Sequence, residues 1–471
     1  MSPDMRSNAI QGLIDLLTPL VTNATQSDSR STSPGGADYE RILAAMQGLA
    51  NTLMPDSPLF TAFHDGQVHD PLGGGSYAFQ KDIVGPALLA LLEDEAVRDS
   101  AAARDKRKSS NGLPTRPIVV HAGLQPNNSP HVGTLVVFCY AFSVARGIRD
   151  RMRVLEANGK ENTPPSVTVL ITFIDTAPVK DETVEMEGVQ YQRSYRDVGD
   201  ALGTYMADYE EVIRYLSAWA DVPVTVAFQA DFFSSPSMPV LLNYIARHHE
   251  TLGPQLSPKY GSLALRSACP VPGCGLAEKH GRLNEYRADD NGQDSTIGFH
   301  CPHHGPHAVR LSHPAEIARL EANAPTRNLL RSMTHLLDTS AHHIRVTGAD
   351  YAGMYQETFL YRPLAAWSAI TGLARGRTPH ILYAPLIVDW SGAKLSKSLY
   401  VRDGAYEFMK RQGMDGLCSY ARLREQFGGD GSKGLRGIWD EVQRWMADPK
   451  KLFRSFSVAY LHGVIMRDDG N

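Results

Sequence analysis

Cysteine is scarce in this chain, with five residues among 471. That excludes a disulfide scaffold, which needs dense and paired cysteines in a small domain. An excess of positive charge is also missing, since 47 Lys and Arg stand against 51 Asp and Glu. A broadly basic surface for nucleic acid is thereby excluded, and only a local basic face would serve such a partner. Long apolar runs are lacking as well. Leu135 to Ala145, the longest around His131, is far short of the ~20 residues of a membrane span. The N-terminal run from Ala9 to Ala24 is apolar at helical spacing, but it contains Asp15 and has no basic n-region, so it reads as an amphipathic helix. These absences set the expectation of a cytoplasmic protein with no membrane partner. There is no internal repeat. What remains, 42% hydrophobic and 21% charged residues, suits two or three globular domains with ample core.

Two short segments carry the chemistry. The first, His131-Val132-Gly133-Thr134, follows an extended apolar stretch from Pro117 to Ala122 and a Gly/Pro/Asn turn from Gly123 to Pro130. It opens a helical stretch to about Arg153, giving strand, turn and helix. A helix N-terminus offers unpaired N–H groups and the positive end of its dipole, a natural seat for phosphate. The second, Lys394-Leu395-Ser396-Lys397-Ser398, places two lysines and two serines beside an apolar strand, Ile381 to Val388. Its charge suits a triphosphate. Attack of a carboxylate on the α-phosphate of ATP builds negative charge on phosphoryl oxygens and pyrophosphate, so positioning and charge stabilisation dominate. His131 is the candidate donor to a phosphate oxygen, Gly133 lets the nucleotide lie close, and Lys394 and Lys397 meet the pyrophosphate. The order of the segments, their separation and their strand contexts support the joint reading more than either motif alone. Val120, Phe138 and Tyr140 read as core. His121, at the end of the first strand, is either a pocket residue or a structural histidine.

These segments resemble the two signatures of class I aminoacyl-tRNA synthetases, commonly written HIGH and KMSKS. The turn Pro126-Asn127-Asn128-Ser129-Pro130-His131 is most similar to that of the class I lysyl-tRNA synthetases, where a proline and small residues precede the histidine. Phe173-Ile174-Asp175-Thr176-Ala177-Pro178-Val179-Lys180 resembles an acidic loop of that family, and Thr347-Gly348-Ala349-Asp350 its Gly-x-Asp segment. The likeness covers about residues 115 to 405. It implies ATP with Mg2+ bound by Gly123, Pro126, Asn128, His131, Gly133, Thr134, Gly348, Asp350, Lys394, Ser396, Lys397 and Ser398. His131, Lys394 and Lys397 are the implied catalytic group, and His121, Asp175 and Asp350 the candidate substrate residues. Asp175 and Asp350 could each pair with an ammonium group or simply hold a loop. Lysine is the implied amino acid by resemblance alone. Two departures stand out. Leu399-Tyr400 replaces the Lys-Gly-Asn often found after KMSKS, and 73 residues follow Ser398 where the family continues into a large helical anticodon-binding domain.

A separate cluster suggests zinc. Cys269-Pro-Val-Pro-Gly-Cys274-Gly is followed by Cys301-Pro-His-His304-Gly, a C-x4-C and a C-x2-H pair, each ending ligand-Gly. Two such knuckles make a tetrahedral Cys3His site, and four protein ligands leave no open catalytic position. Cys269, Cys274, Cys301 and His304 are the preferred ligands, with His300, His303 and His307 as substitutes for the fourth.

Strands alternating with helices predict a Rossmann-type, doubly wound parallel α/β sheet with ligands at the carboxyl ends of the strands. Residues 1–97 read as a helical extension, with periodicity over Ala9 to Val21, Tyr39 to Leu53 and Ile83 to Val97. Residues 98–115, containing Lys106-Arg107-Lys108, read as a linker. The catalytic domain spans 116–405, with an insertion at about 178–335 that holds a zinc ribbon at about 260–310. A short helical region occupies 406–471, including a helix from Gly437 to Ala447, and further helices read at about Tyr195 to Asp221 and Pro314 to Asn323. Three functions compete. The first is amino-acid adenylation followed by transfer to a tRNA 3′ end. The second is a tRNA-independent ligase passing the activated acid to a small molecule or carrier protein, and the third a non-catalytic nucleotide-binding paralogue.

Overall fold

The computed structural model describes residues 82–98, 113–157, 163–199, 201–288, 295–371, 379–395 and 405–467. The expected helices over 9–21 and 39–53, most of the 98–115 linker, and Ser396, Lys397 and Ser398 lie outside the described residues.

The centre is a five-stranded, all-parallel sheet. Its strands are β1 (Ile118–Leu124), β2 (Val167–Phe173), β5 (Val224–Phe228), β12 (His342–Gly348) and β13 (His380–Ala384), in the order β13-β12-β1-β2-β5. The chain therefore builds outward from β1 in one direction, returns, and builds outward in the other. This is the doubly wound Rossmann pattern, with its switch point between β1 and β12, where such sheets bind ligands.

One face of the sheet is apolar. Ile118, Val120 and Ala122 of β1 and Ile344 and Val346 of β12 share a buried core with helix α2 (Val132–Ala157); α1, the first helix of the described chain, is Val84–Arg98. Val120, Phe138 and Tyr140 are core, each at most 1% exposed. Among the described residues α2 is the one helix long and apolar enough to cross a membrane, but 67% of its most apolar window is buried inside the fold. It packs against β1, β2, β12 and β13 of the sheet. Further helices extend this core: α3 (Met206–Ala220) and α6 (Gly431–Ala447), the latter contributing Trp439 and Trp445 at 1% and 0% exposure.

Several boundaries differ from the sequence reading for local reasons. The expected strand 381–388 is two strands, β13 and β14 (Ile387–Val388), because Pro385 lacks the N–H that a continuous ladder requires. The expected helix 195–221 begins at Met206, after two short 3₁₀ turns. Pro314–Ile317 is a single helical turn followed by β11 (Leu320–Ala322), and the long helix here is α5 (Ala324–Leu337). Helix α6 starts six residues before the expected Gly437, because Asp430 caps it by accepting the Ser432 N–H at 2.9 Å.

The insertion contains two antiparallel three-stranded sheets. One joins β3 (Pro178–Met186), β4 (Val189–Ser194) and β7 (Ala277–Glu278). The other joins β8 (Glu285–Ala288), β9 (Ser295–Cys301) and β10 (Gly305–Arg310). Strand β6 (Leu265–Ser267) pairs with β11, and a buried Arg266–Glu321 ion pair at 3.1 Å spans them. Gln356–Thr371 belongs to a second compact unit, where a π-turn over Glu357–Tyr361 leads into a helix over Arg362–Thr371.

Glu95 on α1 fastens the start of β12. Its fully buried carboxylate lies 2.7 Å from His342 Nε2 and accepts the Thr115 N–H at 2.8 Å. Burial alone would raise its pKa, but the bonds to His342 and Thr115 outweigh it and hold Glu95 at about 2 against the ordinary 4.5. With the folded value the lower, the unfolded chain takes up the proton first. The contribution is complete above pH 4.5 and is lost as pH falls towards 2. A shift of this size corresponds to about 3 kcal/mol at neutral pH. Glu95→Gln is expected to lower stability by that order and to remove this segment of the acid-unfolding profile, as measured by urea titration at stepped pH.

Candidate active site

At the carboxyl end of β1 the chain turns through Gln125–Pro130 into α2. Three bonds pin this turn to the C-terminal helices and α3: Pro130 O accepts the Tyr420 N–H at 2.7 Å, Ser129 Oγ the Ala421 N–H at 3.1 Å, and Asn128 O the Tyr209 hydroxyl at 2.8 Å. His131 then caps the helix. Its carbonyl accepts from Thr134 and Leu135 N–H at 2.8 and 3.0 Å, while its Nδ1 accepts from Gly133 N–H at 3.0 Å. An imidazole accepting at Nδ1 carries its proton on Nε2, which makes the ring a donor for an anionic oxygen. The motif also needs its glycine. A Cβ at position 133 would sit 2.8 Å from His131 Cε1. Gly133→Ala should therefore displace the ring and lower nucleotide-dependent turnover about tenfold, measured against an unchanged melting temperature.

The second motif reaches the same place. Asp389 Oδ1 accepts the Ser391 and Ala393 N–H groups at 2.8 and 3.1 Å, closing a tight turn after β14 that returns Lys394 beside Val388. Lys394 Nζ lies 2.5 Å from Asp350 Oδ2, joining the KLSKS and GAD segments. This pair is partly exposed, and such pairs are worth no more than about 1 kcal/mol, so a phosphate can displace the carboxylate at little cost. A cleft of about 130 Å³ is lined by Gly123, His131, Gly133, Thr134, Gly348, Asp350 and Lys394. Pro126 and Asn128 shape the turn without lining this cleft. Ser396, Lys397 and Ser398 follow Lys394 directly but are not among the described residues.

A second cavity, of about 220 Å³, adjoins the first and shares Gly123, Leu124, Thr347 and Tyr351 with it. His121 lines it; Asp175 does not. The Asp175 carboxylate accepts the Ala230 N–H at 3.0 Å and is 5% exposed, with burial pushing its pKa up. Of the two readings, its contacts fit the loop anchor. Asp350 borders the first cleft and points its charge at Lys394.

The sequence reading missed the residues that dominate this cavity. Arg327 and Arg331 on α5 and Arg345 on β12 line it, each 8% exposed. Beside them His121 Nε2 lies 2.9 Å from His343 Nδ1, His335 stacks on His343 with ring centroids 4.3 Å apart, and His343 Nε2 lies 2.8 Å from Asp338. Burial foremost, then neighbouring cationic groups, holds His121 and His335 well below the usual histidine range, so both are neutral at physiological pH. A pattern was legible. Arg327, Arg331 and His335 recur every four residues along one face of α5, and His343, Arg345 and Thr347 alternate on β12. Together they form the polar face of the sheet, opposite α2.

The expected metal ligands also gather. Cys269 Sγ lies 3.4 Å from His304 Nδ1, Cys274 Sγ 3.6 Å from Cys301 Sγ, and Cys301 Sγ 3.6 Å from His304 Nδ1. Ligands 2.0–2.3 Å from a tetrahedral zinc stand roughly 3.3–3.8 Å apart, so the four donors fit that ion. The ligand-following Gly275 and Gly305 have φ of 63° and 75°, the left-handed turn that lets N–H groups face a thiolate. Burial opposes ionisation of Cys301, but N–H donation from His303 and His304 brings its pKa below the ordinary thiol value. His300 instead meets the Tyr191 hydroxyl, and His307 the Ser267 carbonyl, so neither substitute joins the four donors.

No protein-family model matches the sequence, and no curated protein matches it. Among solved structures, it is similar to a glutamate-tRNA synthetase from Elizabethkingia anophelis at 12% identity and TM-score 0.22, covering 61% of this chain and 54% of that one. A glutamate tRNA ligase from Elizabethkingia meningosepticum gives 13% and 0.22, covering 61% and 53%. A protein described as a putative arginyl tRNA synthetase, from Campylobacter jejuni, gives 9% and 0.26, covering 80% and 90%. The chain spans about half the length of the two glutamate enzymes. Values this low carry no argument about activity.

Proposed function

We propose that this chain uses ATP to activate an amino acid as its adenylate and passes the aminoacyl group to a tRNA 3′ end. The observation that carries the reading is the convergence of His131, Gly133, Asp350 and Lys394, from three separate segments, on one cleft at the switch point of the sheet. A carboxylate oxygen bonds to the α-phosphorus as the bond to the bridging oxygen of pyrophosphate breaks, and that oxygen keeps the electron pair. His131 donates to a phosphate oxygen. Lys394, released from Asp350, and Lys397 balance the charge of the leaving pyrophosphate. Mg2+ would accompany ATP and help to neutralise its phosphates. Residues 116–405 are assigned as the catalytic region, working in the cytoplasm. Cys269, Cys274, Cys301 and His304 would hold a structural Zn2+, which cross-links two turns and takes no part in the chemistry.

ATP–pyrophosphate exchange across a panel of acids tests the first step. Absence of exchange with every acid, with or without tRNA, sinks this reading in favour of a non-catalytic nucleotide-binding protein. Exchange without acid-stable charging of total tRNA would transfer the assignment to a ligase that uses a small-molecule or carrier-protein acceptor.

A further inference from the structure

The cavity next to the nucleotide cleft contains three buried guanidinium groups and no carboxylate. Arg327 Nη1 donates to Ala322 O at 3.0 Å, and its Nε has no partner. Arg331 donates to Gln229 Oε1 at 2.5 Å, and Arg345 to Ser332 Oγ and Asn328 Oδ1 at 3.3 and 3.1 Å. Every acceptor is neutral. None of the three makes an ion pair among the described residues. No Asp or Glu lines the cavity.

Three positive charges so placed are costly. Buried charges are ordinarily paired, and an unpaired one destabilises the fold. Burial pulls Arg327 down to about 10, still protonated at neutral pH. For Arg331 burial acts first, and the charges of Arg345 and Arg327 then add to it. The arrangement is held against this cost by well-placed neutral acceptors, which orient the guanidinium groups without neutralising them. A site of this kind is short of an anion. Its position says which one. A Cβ added at Gly123 would come within 3.3 Å of Arg331 Nη1, so the guanidinium lies against the strand end that also borders the nucleotide cleft.

We propose that this cavity binds an anionic side group of the acid being activated, so that the substrate is a dicarboxylic amino acid. One carboxylate meets the α-phosphate at the shared border, and Arg327, Arg331 and Arg345 hold the other. Planar guanidinium forks suit a carboxylate held through paired N–H donors. The inference rests on the adenylation reading for the role of the first carboxylate. It replaces lysine, whose side-chain ammonium would enter a chamber with three like charges and no counter-charge.

The test combines exchange kinetics with direct binding, using the full-length protein. Exchange is expected with L-glutamate or L-aspartate and not with L-lysine. Arg331→Met and Arg345→Met should each raise KM for the dicarboxylic acid at least tenfold while KM for ATP stays within twofold. Succinate and the same amino acids, at millimolar concentration without ATP, should raise the melting temperature of the wild type and not of the variants. Removing one charge from an unpaired cluster should leave the ligand-free variants as stable as the wild type or more so, and Arg331→Lys should recover part of the binding. Thermal stabilisation by dicarboxylates without exchange would uphold this pocket while ending the adenylation reading. Exchange with lysine or neutral amino acids alone would do the opposite. Variants that change KM for ATP but not for the acid would assign the arginines to the triphosphate, and destabilised variants with unchanged KM would assign them to the fold; either result overturns the proposal.

Discussion

His131→Ala is expected to lower ATP–pyrophosphate exchange by roughly a hundredfold to a thousandfold, the usual consequence of losing one donor aimed at transition-state charge. The size follows from the geometry of the cap. Gly133 N–H occupies Nδ1 at 3.0 Å, which leaves the proton on Nε2, and the ring lines the cleft with Asp350 and Lys394. Alanine removes both the donor and the cap. The lost cap costs about 1 kcal/mol of stability, small for a helix with thirteen buried residues packed on the sheet. The loss should therefore fall on kcat and kcat/KM together, with little change in melting temperature. His131→Asn separates the two roles, since asparagine also caps helices. A variant with full exchange would show that the histidine is only a cap, and the reading of the first motif would fail.

Cys301→Ser should abolish stoichiometric zinc binding and destabilise the inserted ribbon by several kcal/mol. Cys301 is fully buried and lies within 3.6 Å of both Cys274 Sγ and His304 Nδ1, so it stands at the centre of the four donors. The apolar cluster around it is small, formed by Tyr191, Leu276 and the cysteines themselves. So little apolar surface holds the turns around the four donors weakly, and metal binding would supply folding energy there. Zinc measured on purified protein, with limited proteolysis between residues 260 and 310, reads both effects. A chelator should reproduce the proteolysis pattern in the wild type. Full zinc content in Cys301→Ser would move the assignment to another donor such as His303.

The turn that opens α2 at His131 and the gathering of Cys269, Cys274, Cys301 and His304 were legible because each is a local pattern with its own geometry. A Gly-rich turn between an apolar strand and a helix forms an anion seat wherever the chain places it, and C-x4-C or C-x2-H followed by glycine forms a knuckle. The breaks at Pro385 and the capped start at Asp430 were legible in principle, since proline and an N-cap act through their immediate neighbours. Asp175 stayed open in the sequence because a buried carboxylate can hold a ligand or a backbone N–H equally well, and sequence does not say which comes within 3 Å.

The arginine cavity belongs to another category. Arg327 and Arg331 lie on α5 and Arg345 on β12, and nothing local in the sequence says that they face one cavity. The sequence by itself determined the parallel α/β class, the glycine-containing turn into α2 and the two Cys/His knuckles, because backbone geometry and hydrophobic periodicity act over a few residues. Only the tertiary structure decided which charges share a chamber without a counter-ion, because electrostatic pairing depends on distances between segments that the chain order does not fix.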